Sequence, residues 1–320
     1  MSEQNRFANY TPSSTPINGS NLTEADSLIF AELAYIRPSE GSAVYNQVSN
    51  GSMNLQDYAK AMYDELTTNG TPKNSSDADK VAMLKTIAES DRYKNCTVSN
   101  YRSVNTVSDD PGTMEQWGAV TVELNDSQNT AVLAYRGTDG TKEGWDEDWL
   151  LGYENGTNAQ QDSAQYLADY ANGNPDANII LTGHSKGGND AIYSYMNSDQ
   201  GVRDQVSHVY NYDGPGVSYD TSEHPEYADA KAELNEKLDS YLPKDSVVGQ
   251  ALLDTGKRHY IDADGSDSAQ SDVPIMSEHD AYTWHLNEDG TFEEVDQSAL
   301  SQYLNNVLDD TLQNRQAPLH

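Results

Sequence analysis

The segment Gly183-His184-Ser185-Lys186-Gly187 sets a serine midway between two glycines. It directly follows the apolar run Ile179-Ile180-Leu181 and precedes a helix-patterned stretch, Asn189 to Met196. A serine hydroxyl is a weak nucleophile. To attack a carbonyl it must project from a sharp turn, next to a base, with N–H groups facing the point where negative charge develops. Glycines on either side of the serine leave room where a Cβ would collide, and the start of a helix supplies the N–H groups. A G-x-S-x-G pentapeptide arises by chance in roughly one chain of this length in ten. Its weight therefore comes from the strand–turn–helix context, and a glycine-rich turn that merely packs well is the plain alternative.

Such a serine needs a histidine to take its proton and a carboxylate to orient that histidine. On this type of turn the partners follow the nucleophile in the order Ser, then Asp or Glu, then His. Among the seven histidines, His184 sits on the turn itself and is poorly aimed, so it is expected to pack or hydrogen-bond locally. His208 lies in a predicted strand and His320 ends the chain, which leaves His224, His259, His279 and His285. His279, in Ser277-Glu278-His279-Asp280, follows the last predicted strand and is the preferred base; His285, flanked by Trp284 and Leu286, is the alternative. Two aspartates compete for the acid. Asp245 lies in Leu242-Pro243-Lys244-Asp245-Ser246, and Asp213 lies in Tyr212-Asp213-Gly214-Pro215-Gly216, immediately after a strand. With 52 acidic residues in the chain, position is the only argument for either. The oxyanion donors expected are the N–H of Lys186 and that of Thr138, in the turn Arg136-Gly137-Thr138-Asp139 after an earlier strand.

The elements that must carry these residues can be read from periodicity. Residues 1–21 are rich in Ser, Thr, Pro and Asn and read as a flexible polar tail, with one domain over 22–320. Thr23 caps a helix with a Leu28, Ile29, Leu33, Ile36 stripe that stops at Pro38, and further helices are predicted at 54–66 and 76–90. Strands at 117–124 and 130–136 flank the turn Asn125-Asp126-Ser127-Gln128 and form a predicted hairpin. Beyond it, helix 159–171, strand 178–182, the helix after Ser185, strand 205–212, helix 226–240, an apolar segment at 246–253 and strand 257–262 alternate, before a helix near 296–313. Strands separated by helices imply a mainly parallel sheet covered on both faces.

Composition excludes several classes of function. The 320 residues carry 52 acidic and 19 basic side chains, a net charge of −33 that repels nucleic acid and anionic membranes. Hydrophobic content is only 36%, yet the apolar residues gather into periodic segments, so a core is feasible. No apolar run is long enough to span a bilayer, and Met1 to Asn21 shows no apolar secretory stretch, so a cytoplasmic protein is expected. The single cysteine, Cys96, excludes an intrachain disulfide and any multi-cysteine metal site. The acidic loop Asp262 to Asp267 lacks the bidentate glutamate of a calcium loop, and no metal or organic cofactor is expected.

Taken in order, these motifs resemble the Mbeg1-like family, bacterial relatives of the fungal-type class 3 lipases. The resemblance rests on Arg136-Gly137-Thr138-Asp139 followed by Gly144-Trp145-Asp146-Glu147-Asp148, on Gln160 to Leu167, on the Ser185 turn through Asn189, on Asp213-Gly214-Pro215-Gly216, and on Pro243 to Gly249 before Glu278-His279-Asp280. It extends over about 22–290 and implies an α/β-hydrolase fold. Ser185 matches the nucleophile, Thr138 the oxyanion residue and His279 the base. Asp245, 60 residues after Ser185, loosely matches the acid-bearing segment, although the proline precedes the aspartate here instead of following it. The stretch Asp139 to Gln161, where a lid would lie, mixes Trp145, Trp149, Leu150 and Leu151 with many charges. The function implied is hydrolysis of carboxylic esters of short or medium acyl chains, or lipid-like ones, with no cofactor. A non-catalytic module on the same fold, or an amidase, thioesterase or transacylase, shares every motif.

Overall fold

In the central strands, neighbouring residues face opposite sides, and this alternation builds two cores on one sheet. A computed structural model describes residues 6–68, 70, 72, 75–106, 115–138, 156–217, 225–251, 255–264, 278–299, 301–303, 305 and 306. The helices are α1 (Glu24–Leu33), α2 (Ala43–Asn50), α3 (Leu55–Thr67), α4 (Ser75–Glu89), α5 (Asn158–Gly173), α6 (Lys186–Met196), α7 (Gln200–Arg203) and α8 (Ala228–Lys237). The strands are β1 (Ser52–Asn54), β2 (Thr97–Thr106), β3 (Glu115–Glu123), β4 (Thr130–Tyr135), β5 (Asn178–His184), β6 (Val206–Tyr212), β7 (Leu238–Pro243) and β8 (Lys257–Ile261).

These strands form one eight-stranded sheet in sequential order. The first four pair antiparallel and β4 to β8 pair parallel, with helices in the connections from β4 to β5, β5 to β6 and β6 to β7. The sheet is thus mixed, with parallel pairing confined to the half that carries the Ser185 turn. Val120, Val122, Val132, Ala134 and Ile180 pack under α1, α3 and α4. Their neighbours Ala119, Ala131, Leu133, Ile179 and Leu181 pack under α5, α6 and α8 on the other face. A sheet of this class, helix-covered on both faces with a strand–Ser–helix turn at its centre, is the α/β-hydrolase fold.

Most predicted elements appear within a few residues of their expected ends, including the β3–β4 hairpin. Three do not follow from hydrophobic pattern. β2 buries Val98 and Tyr101 and half-buries Val104 among polar residues; α2 buries only Val48. The helix expected over 226–240 ends at Lys237, and β7 takes over from Leu238; there Ser240 accepts a bond from the Asn211 amide and Asp239 pairs with His208 and His259. Half of the predicted C-terminal helix, including everything beyond 306, lies outside the described residues.

Residues 6–21 do not form the loose tail their composition implies. Phe7 and Ile17 are buried, Phe7 N–H donates to the Trp284 carbonyl at 2.7 Å, and the Arg92 guanidinium reaches Ser13, Thr15 and Asn21. The same Arg92 holds Asp26 in α1 through Nε at 2.7 Å and Nη2 at 2.5 Å, and the Tyr93 hydroxyl donates to that carboxylate at 2.8 Å. Asp26 also closes the capping box with Thr23. Both partners of the Arg92–Asp26 pair are almost fully buried, so removing one leaves an uncompensated charge. Asp26→Ala should therefore cost about 3–5 kcal/mol, seen as a lower urea midpoint at unchanged slope. A loss below about 1 kcal/mol would show that Arg92 is solvated by other means.

Candidate active site

Ser185 stands between β5 and α6 with φ 58° and ψ −132°, a backbone conformation that L-residues seldom adopt. Its own N–H donates to the Tyr212 carbonyl at 2.9 Å, and its carbonyl accepts the Gly188 N–H at 2.9 Å, so both sides of the turn are fixed. The glycines permit the close approaches this requires. A Cβ on Gly183 would overlap the Gly187 carbonyl, and one on Gly187 would overlap the Tyr135 carbonyl. The serine hydroxyl makes no cap bond to the helix it precedes.

The turn after β4 closes on this elbow. A Cβ on Gly137 would strike the Tyr35 hydroxyl and the His184 carbonyl and come within 3.1 Å of the Ser185 Cβ. The adjacent Thr138 is buried. Arg136 anchors the turn: its guanidinium donates to the Trp117 carbonyl at 2.7 Å and to Ser103 Oγ at 3.1 Å. Burial, and secondarily the charge of Arg37, lowers its pKa to about 10. Lys186, the other expected oxyanion donor, ties its ammonium to the Gln116 carbonyl at 2.8 Å, and its backbone opens α6. Asp139 and the Gly144-to-Asp148 segment lie outside the described residues.

His279 is buried, and its Nδ1 lies 2.6 Å from Asp213 Oδ2. The carboxylate bonded to the histidine is thus the alternative, Asp213, and not Asp245. Asp213 is 1% exposed and adopts φ 50° just beyond β6, with its N–H bonded to the Tyr241 carbonyl at 2.9 Å. Its Oδ1 accepts from the Ser246 hydroxyl and from the Gly249 N–H. The segment that resembles an acid-bearing one therefore supplies donors to Asp213. Asp245 itself offers its N–H to Glu278 Oε2 at 3.3 Å. The loop after Asp213 is tied to the elbow helix: Asn189 Nδ2 donates to the Gly216 carbonyl at 2.8 Å, and Gln160 Nε2 donates to Asn189 Oδ1 at 2.8 Å.

Among the described residues, His208, His259 and His285 take other partners. His285, the alternative base, has Nδ1 2.9 Å from Asp262 and Nε2 3.0 Å from Asp264, so both ring nitrogens face carboxylates of another cluster. His208 and His259 meet Asp239 at the β6–β8 edge, and His224 lies outside the described residues. His184, expected to bond locally, instead reaches across the fold. Its Nε2 lies 2.9 Å from the His279 carbonyl, its Nδ1 3.2 Å from Glu32 Oε1, and its ring stacks on His279 with centroids 4.8 Å apart. Burial opposes its charge, but Glu32, the charge of Asp213 and the His279 carbonyl together raise its pKa above the usual histidine value. Glu32 and Ser246 were invisible to the motif, because one sits in a helix read as core and the other in a loop read for its aspartate.

A family model described as Mbeg1-like matches residues 87–317. The chain belongs to the Mbeg1-like family. No curated protein matches it by sequence. Solved structures similar to this Mbeg1-like chain include lipase II from Rhizopus niveus, at 14% identity over 74% of this chain and 94% of that one, with a TM-score of 0.42. The Rhizomucor miehei lipase–propeptide complex is 15% identical over 91% of this chain and 94% of that one, with a TM-score of 0.40. Among the described residues of this Mbeg1-like chain no helix is long and apolar enough to cross a membrane.

Next to the base, burial and then the charge of Asp245 push the Glu278 carboxyl up from 4.5 to about 7. The folded protein therefore keeps a proton that the unfolded chain releases between those values. Stability from this group is present below pH 4.5 and is lost as pH rises through about 7. Glu278→Gln should flatten the fall in thermal midpoint across that window relative to the parent protein, while the two converge at its acidic end. Parallel curves would show that Glu278 is ionised throughout.

Proposed function

We propose that this Mbeg1-like chain is a serine hydrolase that cleaves carboxylic esters through an acyl-enzyme on Ser185. The observation that carries the reading is the buried His279–Asp213 bond of 2.6 Å, with His279 stacked on His184, the residue that precedes a serine held at φ 58°. Asp213 fixes Nδ1–H of His279, which directs Nε2 as the base. In the first step Ser185 Oγ attacks the acyl carbonyl and His279 accepts the hydroxyl proton. The N–H groups of Thr138 and Lys186 hold the oxyanion. As the tetrahedral species collapses, the alkoxide leaves with the proton from His279, and the acyl group stays on Ser185. Water then gives its proton to His279, attacks the acyl carbonyl and releases the carboxylic acid, restoring the serine.

The substrate class we infer is a small ester of short or medium acyl chain. A net charge of −33 disfavours adsorption to anionic lipid surfaces, where emulsified substrate would have to be met.

Hydrolysis of a p-nitrophenyl ester series tests the assignment. Ser185→Ala and His279→Ala should lose essentially all turnover, and Asp213→Asn should lower kcat by about 10⁴-fold through the wrong histidine tautomer. Asp245→Asn should stay within a few-fold of the parent. If Asp245→Asn lost activity while Asp213→Asn kept it, the acid assignment would be wrong. Absence of turnover on oxygen esters, with activity on thioesters or amides, would move the reaction to another acyl transfer.

A further inference from the structure

We propose that Glu32 and His184 form a buried charge pair that holds His279 at the reaction centre, with His184 as a positioning residue for the hydrolysis proposed above. The inference rests on that reading of the site and adds two residues to it.

Three contacts carry it. First, the backbone carbonyl of His279 can only accept, so the His184 Nε2 lying 2.9 Å from it bears a hydrogen and donates. Second, Nδ1 of the same ring lies 3.2 Å from the buried Glu32 carboxylate and 3.4 Å from the Tyr35 hydroxyl, and the nearer negative charge favours a hydrogen on that nitrogen as well. A ring with hydrogens on both nitrogens is an imidazolium, and Glu32 balances it. Third, the His184 ring stacks on the His279 ring at 4.8 Å with 29° between planes. Cation, stacked face and carbonyl bond thus all act on the same residue.

The surroundings fit a positioning role. Trp284 packs edge-on against His184 and donates from Nε1 to the Glu278 carbonyl at 2.7 Å. The carbonyls of Glu278 and His279 are then both pinned, by Trp284 and His184. Tyr35 donates its hydroxyl to the His184 carbonyl at 3.2 Å, next to the turn that carries Thr138. The charged and titratable groups facing His184 come from every packed element: Glu32 and Tyr35 from α1 and its end, Asp213 from the loop after β6, and His279 with Asp280 from the base loop. α1 is itself fixed to β5 by Ser27 Oγ donating to Thr182 Oγ1 at 3.0 Å. The N-terminal helix thereby reaches the catalytic base through a single side chain.

The test uses the whole chain and two readouts. With ring-¹⁵N-labelled histidine, the NMR signals of His184 at pH 7.5 should report hydrogens on both nitrogens in the parent, and Glu32→Gln should convert the ring to the neutral form. A neutral His184 in the parent protein would overturn the charge pair. On an ester the parent hydrolyses, His184→Ala and Glu32→Gln, assayed below their own thermal midpoints, should each lower kcat at least tenfold with KM within twofold, and Glu32→Asp should recover part of the loss. Parent-like kcat in folded His184→Ala would overturn the positioning role, whereas an inactive parent would instead reject the proposed function and leave the NMR result to decide the pair.

Discussion

The structure turns on the close approach of three backbone segments at Ser185. The end of β5, the first turn of α6 and the turn after β4 meet so tightly that a Cβ on Gly183, Gly187 or Gly137 would overlap a neighbouring carbonyl. That crowding holds the serine in its left-handed conformation, a state costing about 1–3 kcal/mol unless its surroundings fix it. The bonds from Ser185 N–H to Tyr212 and from Gly188 N–H to Ser185 supply part of that restraint, and two helix-covered cores supply the rest. Once the elbow is fixed, β6 is its parallel neighbour, and the first residue beyond β6 is Asp213. Asp213 is therefore placed by strand pairing, one strand away from Ser185.

The electrostatics follow from the same geometry. Asp213 is buried, with a hydroxyl, a backbone N–H and the His279 ring arranged around it. A second carboxylate, Glu32, lies on the far side of the His184 ring. Burying a carboxylate is costly unless donors or a cation compensate, and each of these two has its own. At Glu278 burial and the charge of Asp245 outweigh the nearby Lys244, and the carboxyl shifts its pKa upward instead. The surface charge of −33 has no counterpart in this arrangement, which is governed by short-range partners.

Much of this was legible in the sequence. Glycine spacing around Ser185 and the apolar run before it specify the elbow because their physical cause is local. Patterns in β3, β4, β5 and α5 were readable because their apolar positions keep a regular period. What could not be read has a common cause. β7 hides behind Asp239 and Ser240, whose polar groups are satisfied by neighbouring strands. The resemblance of the Asp245 segment to an acid-bearing one favours Asp245, whereas strand pairing places Asp213 beside His279 and leaves Asp245 bonded to Glu278. His184 was discounted for its position on the turn, and its partners lie 95 residues ahead at His279 and on α1. Local pattern carries no information about such contacts. The tail showed the reverse error, since its polar residues serve as partners of Arg92.

The central claim is that Ser185 is an activated nucleophile. The most direct measurement is tryptic mapping by mass spectrometry after reaction of the intact chain with a fluorophosphonate. The account predicts one phosphonyl group, on Ser185, with labelling greatly slowed in Asp213→Asn. An unmodified Ser185 under conditions that label other serines, or labelling at the same rate in Asp213→Asn, would contradict it.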